Sequence, residues 1–320
     1  MAKVQLVGNG QKRRRFLRCP YICKRSPKGY ALLQHFLLLP CVRTLTKTLN
    51  SVPFNVGIDD SLFESLKQRL AESRDIEKCC ILLFDEMSLG EGFEYNDHED
   101  RIIGFEDLGS LGRTQRYANH ALVFMAQGLT KPWKQPVAYY YLHGTCPTKA
   151  LKSLLLEIIA RLQSCGLKVM ATVCYQMSSN RAVIESLVKG EDGRFFIVNG
   201  HIIVRFYDVP HLLKSTCNAF RHSTVQWEGK IADCAVVQKV YQLEKWSPYK
   251  CTKLTERHMN PSNCDKMRDE AAQTMSSSVA GAIYAFFIVG NSEELKSSAV
   301  HTAEFIGDVS NLFVFQLRLR

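Results

Sequence analysis

Two adjacent carboxylates, Asp85 and Glu86, follow directly on the apolar run Cys79-Cys80-Ile81-Leu82-Leu83-Phe84. An apolar run of that length, bounded by polar residues, reads as a buried strand of a mixed or parallel sheet. A carboxylate at the C-terminal end of such a strand stands where open α/β sheets place their ligands. Asp85 is therefore a candidate ligand for a divalent cation, whereas Glu86 points to the opposite sheet face if the strand continues.

Other side chains with ligating or binding chemistry are less complete. Cys19 with Cys23 could begin a zinc site, and Cys251, His258 and Cys264 form a second such set. Neither reaches the four ligands of a closed site, so both read as core or surface thiols. The 12 cysteines show no framework spacing, and no export signal precedes them, which points to reduced thiols. Lys12, Arg13, Arg14, Arg15 and Arg18 form a basic cluster suited to phosphate contact or nuclear localisation, and equally to a solvated arm.

Charge separates the N-terminal part from the rest. Residues 1–50 hold eleven Lys or Arg and no acid, so a chain of net charge +10 is left at −1 over residues 51–320. A polyanion partner is expected for the first segment alone. The longest apolar run, Val279 to Val289, is shorter than the ~20 residues of a membrane span and reads as a buried helix.

The elements that must position Asp85 follow from periodicity. Tyr30 to Leu39 and Val42 to Leu49 read as short helices separated by Pro40. Asp59 or Asp60 caps a helix with Leu62, Phe63, Leu66 and Leu70 on one face, leading into the strand that ends at Asp85. Short strands are expected at Glu94 to Tyr95, Arg101 to Phe105, Ala121 to Met125 and Val137 to Tyr141, with a turn at Asn96-Asp97. A helix from Thr148 to Ser164, a strand from Lys168 to Cys174 and a helix capped by Asn180 come next. A hairpin follows around Asn199-Gly200, and then a helix entered through Asp208. From about Gly229 the pattern is almost entirely helical.

That order resembles the RNase H-like arrangement of transposases, and several blocks look like the P-element-type transposase family with its transposase-derived THAP domain-containing relatives. They are Phe84-Asp85-Glu86-Met87-Ser88, Gly104-Phe105-Glu106-Asp107-Leu108-Gly109, Ala118 to Met125, Trp133 to Tyr140 and Asp208 to Lys214. Lys253-Leu254-Thr255-Glu256-Arg257-His258 and Thr302-Ala303-Glu304-Phe305 also match, the latter in the family's GTP-binding insertion. The resemblance implies an α/β fold: an RNase H-like mixed sheet flanked by helices, with an incomplete helical insertion domain. It implies a basic arm over 1–27, a helical segment over 28–75, the transposase core over 76–225 and a partial insertion over 226–320.

The resemblance also implies chemistry, and departures from it. Three acids of the family hold two Mg²⁺ ions for cleavage and transfer of a DNA strand. Asp85 matches the first. The second falls in a Cys-Asp-Gln motif, where this chain has Cys174-Tyr175-Gln176, so Tyr175 stands at the second-acid position. A phenol, with an ordinary pKa near ~10, is neutral at pH 7 and offers no pair of carboxylate oxygens. The third acid is expected beyond the insertion, past Arg320. Asp208 would lie two strand spacings, ~10 Å, from Asp85, and reads as a helix cap. Glu304 lies in the insertion, away from the third-acid motif.

No Cys-x-Cys…Cys-x-x-His framework of a THAP zinc domain is present, and Lys253 with Lys266 are candidates for GTP phosphate by position only. The resemblance and its departures together imply a truncated, degenerate transposase of nuclear location, a domesticated pseudoenzyme without catalysis that retains contact with DNA or an intact transposase partner. The rival expectations are a residual metal-dependent transposase or nuclease, and a transposon remnant without function. A half-insertion is expected to leave Ala280 to Val289 without packing partners.

Overall fold

Alternation along the apolar runs builds one large sheet, and helical periodicity covers one side of it. The computed structural model describes residues 19, 21–50, 55–96, 100–188, 193–246, 250–260, 268–289 and 296–318. Helices α1 (Pro27–Phe36) and α2 (Val42–Asn50) bury Tyr30 and Leu45 around Cys19. Strand β1 (Gly57–Ile58) leads to α3 (Asp60–Leu70), capped by the Asp59 carboxylate, which accepts from Ser61 N at 2.9 Å.

The central strands follow: β2 (Cys79–Ser88), β3 (Glu94–Asn96), β4 (Arg101–Ile103), β5 (Phe105–Asp107), β6 (Arg113–Tyr117), β7 (His120–Gly128) and β8 (Lys134–Leu142). Helix α4 (Thr148–Ser164), β9 (Lys168–Cys174), α5 (Ser178–Leu187), β10 (Phe195–Val198) and β11 (His201–Tyr207) complete this half. The order across the sheet is β10-β11-β9-β2-β7-β8-β5-β6, with β1 on β8. β11, β9 and β2 run parallel, while β2, β7 and β8 form an antiparallel meander. Asn199 and Gly200 both have positive φ, as a two-residue hairpin turn between right-twisted strands requires.

Phe63 and Leu66 of α3, the Leu151-to-Leu162 face of α4 and Val183 with Ile184 of α5 pack against Leu82, Phe84, Phe124, Tyr140, Val169, Phe196 and Ile203. Each such Leu, Ile or Phe contributes about 1.5–3 kcal/mol through burial. The opposite sheet face carries the alternate residues, including half-buried Leu83, Met125 and Val173. Between β2 and β9 the register shifts by one residue. Cys80 pairs with Val169 but Ile81 pairs with Ala171, so Met170 is skipped.

Several expectations are corrected. β2 does not stop at Asp85: it runs to Ser88, because β7 extends equally far and pairs Asp85, Glu86, Met87 and Ser88 with Val123, Leu122, Ala121 and His120. Arg101 to Phe105 is broken at Gly104, whose φ of 114° ends β4 before β5. Asn180 lies inside α5 rather than capping it, and its amide donates back to Tyr175 O at 2.9 Å. Asp97, of the expected Asn96-Asp97 turn, lies outside the described residues.

The second core begins in α6 (Val209–His222), ahead of residue 226 where the sequence reading placed the change of layer. A hairpin, β12 (Val225–Trp227) with β13 (Lys230–Ala232), precedes the helices, so this part is not helical throughout. Then come α7 (Cys234–Trp246), α8 (Glu256–Met259), α9 (Arg268–Thr274), α10 (Ser277–Ile283) with a π-helical continuation at Tyr284–Val289, and α11 (Lys296–Arg318). Val279, Ala280, Ala282, Ile283 and Phe287 are buried in one cluster with Ala299, Ala303 and Ile306 of α11. The expectation of an unpartnered apolar face at Ala280–Val289 is therefore overturned over Ala280, Ala282, Ile283 and Phe287, because α11 supplies the partner. Among the described residues no helix is long and apolar enough to cross a membrane.

Candidate functional site at the parallel strand ends

Three adjacent parallel strands bring their carboxyl ends together. Asp85 is exposed on β2, and its Oδ1 accepts from Glu86 N at 2.9 Å. Tyr175 follows the last residue of β9, where Cys174 pairs with Phe84. Asp208 follows β11; its backbone N–H donates to Cys174 O at 2.9 Å, which ties the two strand ends. Asp85, Tyr175, Asp208 and His211 line one hollow of about 260 Å³, floored by Leu83, Val123, Met125 and Val173. The sequence-based spacing of two strands between Asp85 and Asp208 holds, with β9 between them.

The chemistry of this hollow is set by who pairs with whom. Asp208 is the N-cap of α6: its Oδ2 accepts from His211 N at 3.3 Å and meets His211 Nδ1 at 2.6 Å. The Tyr175 ring lies against the His211 imidazole, with centroids 4.4 Å apart and planes at 46°. Burial pushes the Cys174 thiol up to about 12, and the Asp85 charge adds to the shift. Two Mg²⁺ ions need several hard oxygen donors in octahedral array. This hollow offers one exposed carboxylate, a second held in a helix cap with an imidazole, a phenol and a neutral thiol. That donor set does not fit the pair of ions. Among the described residues no group of three metal-capable side chains is assembled.

Nearby acids serve elsewhere. Glu86 faces the core side, where its Oε1 accepts from Cys146 N at 3.0 Å, and burial raises its carboxyl above the ordinary range. Glu106 is buried and holds Arg116, Thr114 and the His143 amide. Glu304 pairs with Lys230 at 2.8 Å in the second core.

The remaining candidates do not converge on this hollow. Cys19 is buried beside Tyr30, and Cys23 packs against that small cluster. Cys251 is exposed and His258 bonds Thr255, while Cys264 lies outside the described residues. Lys253 is exposed, whereas Lys266, Lys12, Arg13, Arg14, Arg15 and Arg18 lie outside the described residues.

Two participants escaped the sequence reading. His211 was detectable, because Asp-x-x-His at a helix start places the imidazole over the cap. Glu244 had no local signal. It is buried and accepts from Cys251 N at 2.8 Å and Thr252 N at 2.9 Å, fixing the loop that leads to Lys253.

Comparison with known proteins gives the architecture its place. The family described as TNP-like, RNase H N-terminal domain, matches residues 54–188, and TNP-like, GTP-binding insertion domain, matches residues 210–316. The chain is thus of the transposase class, an RNase H-like domain followed by an insertion domain. It is 26% identical to the Transposable element P transposase of Drosophila melanogaster over 99% of its own length and 41% of that protein's. It is 23% identical to the human DNA transposase THAP9, over 92% of this chain and 33% of the relative. A solved Drosophila P element transposase strand transfer complex shares the fold, with a TM-score of 0.73 at 23% identity, covering 97% of this chain and 66% of the other. The chain belongs to the P-element-type transposase family. It spans less than half the length of the curated relatives it matches.

Proposed function

We propose that these residues form a non-catalytic transposase module that retains contact with DNA or with a transposase partner. The observation that carries this reading is the aromatic contact of Tyr175 with His211 beside Asp85. At the position where the family pattern has its second acid, a neutral ring fills the space next to the one exposed carboxylate. His211 in turn holds the other nearby carboxylate, Asp208. Asp85 then acts as a remnant of a metal site rather than as half of a working one.

Contact with DNA is assigned to the acid-free N-terminal stretch, through Lys12, Arg13, Arg14, Arg15 and Arg18. Such contact is sequence-independent and steeply salt-dependent. It is compatible with a nuclear location. Lys253 and Lys266 are the candidates for GTP phosphate in the insertion, and productive GTP binding is not expected here.

The test is cleavage of duplex DNA with Mg²⁺ or Mn²⁺. The expected result is no cleavage by the 320-residue chain; metal-dependent cleavage that Asp85→Asn abolishes would overturn the reading. Binding is tested separately by salt titration with and without residues 1–27. Deletion is expected to lower both the affinity and the salt slope.

A further inference from the structure

At the far end of β2, on the side of Glu86, three polar side chains join in a relay that the proposed function leaves unused. Ser88 and His120 stand opposite each other in the β2–β7 ladder. Ser88 Oγ lies 3.2 Å from His120 Nε2, and His120 Nδ1 lies 2.8 Å from Asn119 Oδ1. Ser88 is exposed and His120 half-buried.

The direction of each hydrogen bond follows from the anchoring of Asn119. Its Oδ1 also accepts from Gly144 N at 2.7 Å, in the loop between β8 and α4. A backbone N–H only donates, so the atom facing it is the amide oxygen and not the amide nitrogen. Oδ1 therefore accepts from His120 Nδ1–H as well, and the neutral imidazole presents a bare Nε2 to Ser88. The serine hydroxyl donates to that nitrogen. The Asn119 backbone is tied too: its N–H donates to Leu142 O at 2.9 Å, and its carbonyl accepts from Leu89 N at 2.8 Å.

A nucleophile, a base within hydrogen-bond reach and a third group that fixes the tautomer of the base are the parts of an acyl-transfer site. Because Leu89 makes the bond to Asn119 O, the neighbouring Ser88 N–H is directed to the other edge of β2. β9 pairs with β2 only as far as Phe84, so at Ser88 that edge faces outward and its N–H can meet an oxyanion. The Glu86 carboxylate interacts with the His120 charge and favours the imidazolium formed when Ser88 gives up its proton. The geometry points to Ser88 as a nucleophile that takes the acyl group of a neutral carboxylic ester, with His120 as its base and Asn119 as the positioning residue. The Oγ–carbonyl carbon bond forms as the ester C–O bond breaks, and the proton passes from Oγ through Nε2 to the departing alcohol. Water then takes the acyl group by the same route in reverse, releasing a carboxylic acid and restoring the hydroxyl. Residues 79–100 hold seven Asp or Glu and no Lys or Arg, which disfavours an anionic ester and leaves the neutral class. Nothing in this relay draws on the Asp85 hollow, so it stands or falls apart from the reading of DNA cleavage.

The probes are an alkyl fluorophosphonate, which bonds to a serine Oγ as fluoride leaves, and p-nitrophenyl acetate as the ester. On the full 320-residue chain the phosphonate is expected on Ser88 by peptide mass spectrometry, and Ser88→Ala should remove it. The same variant should lower the release of p-nitrophenolate at least tenfold, while its circular dichroism and melting match the parent because Ser88 is exposed. His120→Gln, which lacks a basic nitrogen, should slow labelling about a hundredfold, within the range of general-base catalysis. Asn119→Ala should slow it at least tenfold, and Asn119→Asp, which keeps an acceptor oxygen for both N–H groups, should restore it. The inference is overturned if Ser88 stays unlabelled. It is overturned equally if His120→Gln labels at the parent rate, which would leave the pair as a cross-strand hydrogen bond only. Ester turnover undiminished in Ser88→Ala overturns it too, assigning the hydrolysis to surface imidazoles.

Discussion

The two faces of the central sheet are built from the same strands and have opposite fates. On one face Leu82, Phe84, Phe124 and Ile203 are essentially inaccessible beneath α4 and its neighbours. On the other, the residues between them remain half-buried or exposed, and the carboxyl ends of β2, β9 and β11 open into the Asp85 hollow. The lesson is a division of labour by parity. The covered face fixes the backbone of every strand, and so holds Asp85 and Tyr175 in place whatever chemistry they retain. A change of side chain at Asp85 or Tyr175 therefore need not loosen the fold, because neither belongs to the side that stabilises it.

The largest test of that contrast is a cavity under the helices. Phe124→Ala should cost about 3–5 kcal/mol, read as a lower denaturation midpoint with unchanged slope. A loss below ~1 kcal/mol would break the comparison, since the two faces would then be equally dispensable.

A second test loads the hollow itself. Tyr175→Asp removes the ring from His211 and adds a carboxylate near Asp85. The variant should melt lower than the parent without metal and gain stability with Mn²⁺, about 2.7 kcal/mol at a hundredfold excess over Kd. The parent chain should show no such gain. An equal response of both chains would mean that position 175 does not govern the site.

Glu86 gives a smaller, pH-dependent effect on the covered face. Burial raises its carboxyl in the folded chain, so the folded state binds more protons than the unfolded state between the ordinary carboxylate range and the raised value. Stability contributed by this group is thus full at low pH and falls as pH rises through that window. Glu86→Gln should flatten the fall while keeping an acceptor for Cys146 N. An unchanged pH profile would place the titration elsewhere. The smallest change is expected on the open face, where Phe206→Ala should lie within about 0.5 kcal/mol of the parent.

Much of this arrangement was legible in the residues. The apolar face from Leu151 to Leu162 fixed a helix whose ends, Thr148 and Ser164, match the reading, and Asp208 caps α6 as expected. Arg113–Tyr117 went unread, because every side chain of this edge strand is exposed and no apolar alternation marks it. Asn180 misled because a capping residue type also serves inside a helix when a carbonyl, here that of Tyr175, lies within reach. Partnership across long separations was the hardest part. Nothing local to Ala280, Ile283 and Phe287 announces that Ala299 and Ile306 will share their cluster. At the site, Asp85 followed from its own neighbours and Tyr175 from the family pattern, while the pairing of His211 with Tyr175 required three dimensions.

The skipped residue at Met170 sets the phase of the whole hollow. Before the skip, β9 and β2 count together from Lys168 with Cys79; after it, β9 runs one residue ahead, so that Cys174 stands beside Phe84. Continued one step, that count brings Tyr175 level with Asp85. Without it, Cys174 would stand level with Asp85 and Tyr175 would move on to the level of Glu86. Deleting Met170 would thus remove the irregularity and keep Tyr175 level with Asp85, whereas drawing Met170 into the ladder as a paired residue would exchange which side chains at the strand ends share a face.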